Sequence, residues 1–133
     1  MSEIFSESWM QALQQQWNTN AEITTPLAKA GFNARIAYGF KGEEKPRGMM
    51  VIENGKVIQA GNFDGGSLDW DLRAEPEKWQ DWIESGFGLT RLGPAVATGA
   101  LEFVSGNYRQ MIRNPSLSHP FLQHFELMSA INQ

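Results

Sequence analysis

Apolar residues recur at every fourth position near the start of the chain. Phe5, Trp9, Leu13 and Trp17 would share one face of a helix from about Ser6 to Asn18, which Ser6 can cap. A polar connector containing Pro26 follows, and "TPLAKAG" suits a short helix stopped by Gly31. At "FNARIAYGFK" the period drops to two: Phe32, Ala34, Ile36, Tyr38 and Phe40 fall on one face, Asn33, Arg35 and Lys41 on the other. That is the signature of a half-buried strand. "GMMVIENGKVIQAG" reads as two strands turned at Asn54-Gly55, whose tolerance of positive φ suits a type I′ hairpin. "SLDWDLRA" alternates again, with Leu68, Trp70, Leu72 and Ala74 inward and Asp69, Asp71 and Arg73 outward. The pattern predicts four antiparallel strands in succession.

At Pro76 the helical period returns. Proline suits a first helical turn, Glu75 and Glu77 favour the positive helix end, and Trp79, Trp82 and Ile83 form one apolar stripe ending at Gly86 and Gly88. Residues 89–98 read as a short helix rich in small side chains, and "ALEFV" as a fifth strand. Asn107 can cap a further helix carrying Met111 and Ile112. A last helix starts near Ser118 and Pro120, with Phe121, Phe125 and Met128 on one face. The expected architecture is α+β: a five-stranded, mostly antiparallel sheet with helices packed on one face. No repeat or linker interrupts it, so residues 1–133 are expected to form a single domain.

Composition narrows the function. With 41% hydrophobic residues, including five Trp, eight Phe and six Met, the core is expected to be aromatic and adaptable. The net charge of −4 and the scattered basic residues exclude a nucleic-acid footprint and stable attachment to an anionic membrane. The chain has no cysteine, so disulfides and thiolate metal sites are ruled out. No apolar run approaches the ~20 residues of a membrane span. "MSEIFSESW" is not a signal peptide and "INQ" is not a peroxisomal signal, so a cytoplasmic location is expected.

The run "LDWDLRAEPEKWQDWIESGFGLTRLGPAVATGALEFVSGN" orders a strand, a tryptophan-bearing helix, a glycine turn, a short helix ending at Gly99, a strand and Gly106-Asn107. In this order it resembles the sterol carrier protein family, the SCP-2-type sterol-binding domain. "VIENGKV" sits where that family has its second and third strands. The resemblance implies a sheet backed by helices, with an apolar tunnel between them for a fatty acid, fatty acyl-CoA, sterol or similar lipid, and no catalytic motif or cofactor. Two departures stand out. Gly99 and Gly106 enclose six residues where the family usually has five, which predicts a bulge or a longer turn. Ala100 and Glu102 replace its usual exposed lysines.

On this reading the tunnel walls come from Leu101 and Phe103 on the fifth strand and from Leu92, Val96 and Met111 on the helices beside it. Trp82, Phe87, Phe121, Phe125 and Met128 would form a mouth or lid. Arg109 and Arg113, four apart, offer a cationic rim for a head group or an ordinary helix surface. His124 reads either as a head-group contact or as a surface histidine. His119 and His124 are five apart and do not share a helical face as two metal ligands would. Three functions follow. The first is noncatalytic lipid binding, with transfer or presentation of the ligand to a separate protein. The second is a small cone-shaped isomerase using Asp69 or Asp71 as base. The third is a protein-interaction domain whose pocket has collapsed.

Overall fold

The Ser6 hydroxyl caps the first helix as expected, accepting the Trp9 amide at 3.3 Å. The helix, α1 (Glu7–Asn18), buries Trp9, Met10, Leu13 and Trp17. α2 (Ala21–Lys29) is longer than its proline pattern suggests, because Asn20 caps it and Pro26 lies inside it. Then come β1 (Ala34–Phe40), β2 (Gly48–Glu53), β3 (Lys56–Asn62), β4 (Trp70–Ala74), α3 (Pro76–Ser85), α4 (Leu89–Thr98), β5 (Glu102–Ser105) and α5 (Pro115–Ile131). α5 begins a turn earlier than expected, so Pro120 lies within it. The structure, a computed structural model, describes residues 4–85, 89–106 and 113–131, with backbone alone for 89–92, 115–117 and 129–130. The expected helix of Asn107, Met111 and Ile112 lies outside the described residues.

The sheet is five-stranded and mixed, in the order β3-β2-β1-β4-β5. β1 and β2 pair antiparallel, as do β2 and β3, and β4 and β5. The expected run of four antiparallel strands breaks at β4, which lies parallel to β1 with Ile36 opposite Trp70 and Tyr38 opposite Leu72. "GNFDGGS" is therefore part of a crossover and not a hairpin turn. Alternation assigns a strand its faces but not its neighbour. Here the neighbour is fixed by Asp69: its carboxylate accepts the Arg35 amide at 2.9 Å, and its own amide donates to the Arg35 carbonyl at 3.0 Å. Asp64 holds the Arg35 guanidinium at 2.7 Å and steadies the crossover.

Both edge strands are bulged. Asp71 faces Ser105 while Leu72 faces Phe103, so Val104 is an extra residue, 54% exposed. This absorbs the sixth residue between the two glycines. Gly106, at φ +103, packs so closely on Trp70 that a Cβ would lie 2.2 Å from the ring. On β3 the extra residue is Ile58, also 54% exposed. The Asn18 side chain closes that edge, donating to the Val57 carbonyl at 2.8 Å and accepting its amide at 2.9 Å. Bulges and such capping discourage further strand pairing.

Ile36, Tyr38, Met50, Ile52, Leu72 and Ala74 line the inner face of the sheet and are buried in the core. α1 lies against β2 and β3, and α5 packs on α1, α2 and α3. The outer face is less open than its polar residues suggest. Asp71 and Arg73 are only 5% and 6% exposed, not a solvated strand face. The β1–β2 loop covers them: Pro46 sits over Gly39, and Arg73 donates to the Glu43 carbonyl at 2.8 Å.

Candidate functional site

The inner face closes on aromatic rings. Phe5, held at φ +65 where bulky residues are rare, places its ring 5.0 Å from Trp79, 5.2 Å from Trp9 and 5.4 Å from Tyr38. The Trp79 indole donates to the Gly39 carbonyl at 2.8 Å, tying α3 to the sheet. On α5, Phe121, His124 and Phe125 are in mutual contact, with centroids 4.3–5.0 Å apart.

His124 is not a surface histidine; it is fully buried. Its Nδ1 donates to the Phe121 carbonyl one turn earlier, which leaves Nε2 to accept the Tyr38 hydroxyl at 2.8 Å. Burial lowers the imidazole pKa to about 4, partly opposed by the Phe121 hydrogen bond. Burial also pushes the Tyr38 phenol well above its ordinary range. The pair is a neutral, hydrogen-bonded element inside an apolar interior. Sequence reasoning missed Tyr38 as a polar group, because its partner lies 86 positions away and no spacing rule connects them.

Trp82, Phe125 and Met128, expected at a mouth or lid, meet with Trp79 and Ile83 around a crevice nowhere wide enough for a water molecule. Trp79 and Ile83 were legible only as members of the same helical stripe. Phe103 and Phe121 lie with Trp70, at centroid distances of 5.9–6.3 Å, and Phe121 joins this group to the crevice through Phe125, 5.0 Å away. Leu101 is buried and Val96 packs half-buried on the core. Arg113 is exposed. Phe87, Arg109 and Met111 lie outside the described residues, as does the Leu92 side chain.

Neither candidate base faces this interior. Asp71 is clamped on the outer face by Arg73, through bonds of 2.6 and 3.0 Å, and Asp69 is committed to the Arg35 amide. Among the described residues, no group of three or more His, Asp or Glu is placed to hold a metal ion. No described helix is long and apolar enough to cross a membrane.

No protein-family model matches this sequence, and no curated protein matches it. Solved structures do. A crystal structure of sterol carrier protein 2 aligns with a TM-score of 0.74 at 18% identity, covering 96% of this chain and 98% of that one. A protein from Thermus thermophilus, described as possibly a sterol carrier protein, aligns at 0.69 and 18% identity over 97% of this chain and 90% of its own. The ubiquinone synthesis protein UbiJ-SCP2 aligns at 0.59 and 13% identity, over 94% and 88%. The fold is therefore SCP-2-type, with the mixed sheet and helices described above.

Proposed function

We propose that this chain is a single noncatalytic domain that binds an apolar ligand between its sheet and helices. The ligand class is a fatty acid, fatty acyl-CoA, sterol or similar lipid, and the protein holds it for transfer or presentation to a separate protein in the cytoplasm. One observation carries the reading: the interior between the sheet, α3 and α5 is walled almost wholly by aromatic and aliphatic side chains, and a crevice runs between Trp82, Phe125 and Met128. An apolar ligand gains about 0.8 kcal/mol per buried methylene in such surroundings. Methionine adapts its shape to different occupants. The SCP-2-type fold supports the same reading. Leu92, Val96, Leu101, Phe103 and Met111 complete the proposed lining, with Phe87 and Phe121 at its mouth. Both nitrogens of His124 are engaged, so the head group falls to Arg109 and Arg113.

The isomerase alternative loses its base, since Asp69 and Asp71 are both committed away from the interior. The narrowness of the crevice favours one other reading, a protein-interaction domain whose pocket has closed. Titration with a fluorescent fatty acid separates the two. Lipid binding predicts saturable 1:1 binding (~1 equivalent) reversed by unlabelled fatty acid, with the apolar pocket opening toward the typical ~300–1,000 Å³. A closed domain gives no saturable signal.

A further inference from the structure

Trp82 borders two separate spaces. On its inner side is the crevice it shares with Phe125 and Met128. On its outer side, Lys78, Asp81 and Trp82 of α3 face Pro94, Ala95 and Thr98 of α4 across an open groove of about 290 Å³. Among the residues lining the two spaces, Trp82 alone is common to both. It is 6% exposed, so its indole is the partition between solvent and interior. Trp79 packs edge to face against it, with the two rings at 86° and 5.5 Å apart, so the crevice behind the indole is closed to anything as wide as a water molecule.

We propose that Trp82 is the gate of the lipid site, and that the narrow crevice behind it selects a single unbranched acyl chain over a fused-ring sterol. The inference rests on the lipid-binding reading above and adds the route and the ligand shape. The chain enters tail first from the groove as the indole turns aside, and the head group stays outside the gate. A flexible methylene chain needs the packed rings to part only by its own width, whereas a rigid plate of fused rings needs them to part much further. Met128, unbranched and polarizable, can adjust to the chain.

Stopped-flow association of the full chain with a fluorescent unbranched fatty acid, and separately with a fluorescent sterol, tests the gate. The native protein binds the fatty acid and not the sterol. Trp82→Ala raises the fatty-acid association rate by about tenfold, since binding no longer waits for a conformational step, and it admits the sterol. Trp82→Phe falls between. An unchanged rate in folded Trp82→Ala protein, or tight sterol binding by the native chain, overturns the gate and leaves lipid binding standing. Failure of the native chain to bind either probe overturns both. If Trp82→Ala does not fold, native protein labelled with 5-fluorotryptophan decides the matter. The Trp82 resonance, identified by its loss in Trp82→Phe, shifts on adding fatty acid if the indole gates the site and stays fixed if it is ordinary core.

Discussion

A neutral imidazole enclosed by aromatic rings makes the fold sensitive to acid. His124 touches Trp17, Tyr38, Phe121 and Phe125, and Tyr38 is the titratable group among them. Its folded pKa, about 4, lies below the unfolded value of 6.5. Above pH 6.5 both states are neutral and the histidine costs nothing. As pH falls from 6.5 toward 4 the unfolded chain takes up a proton that the folded chain refuses, so stability declines by about 3 kcal/mol and then levels off. Urea midpoints measured across that window should fall more steeply for the native protein than for His124→Gln; parallel curves would remove His124 from the explanation. None of this was legible in the sequence. The spacing of His119 and His124 excluded a shared face, but burial of His124 depends on α5 docking against β1, a long-range contact. Asp71 teaches the same lesson: alternation put it on the outer face, and a loop it does not touch in sequence buried it.

At the level of elements, the β2–β3 hairpin joins the sheet to the helices. Asn54 and Gly55 both have positive φ, at 49° and 81°. The Gly55 carbonyl accepts the Trp17 indole at 2.9 Å, and a Cβ on Gly55 would lie 2.6 Å from the Ala28 amide nitrogen. Gly65 also has positive φ, +88, but nothing lies within 4 Å of a Cβ there. Both alanine substitutions pay for the left-handed backbone, at about 1 kcal/mol. Gly55→Ala must in addition part α2 from the hairpin, so its total loss should reach about 3 kcal/mol. Equal denaturation midpoints for the two variants would contradict this packing. Elements of this kind were readable locally: Ser6 as a cap, Asn54-Gly55 as a turn, and the six-residue glycine spacing as a bulge or a longer turn, of which the structure has the bulge, at Val104. The parallel place of β4 was not, because the bonds between Asp69 and Arg35 that select it link residues 34 positions apart.

For the molecule as a whole, the SCP-2-type fold brings helices and sheet together over an aromatic interior, and the ionic groups of β4 are turned to the other side. The resemblance read from residues 68 to 112 anticipated that architecture, although it could not anticipate how narrow the space beside Trp82 would be. The proposed lipid binding requires that crevice to open around its occupant. Native mass spectrometry of the freshly purified full chain, followed by organic extraction, tests this most directly. The prediction is a protein carrying one lipid-sized adduct that extracts as a single-chain lipid. A bare protein that also fails to take up added fatty acid would contradict it.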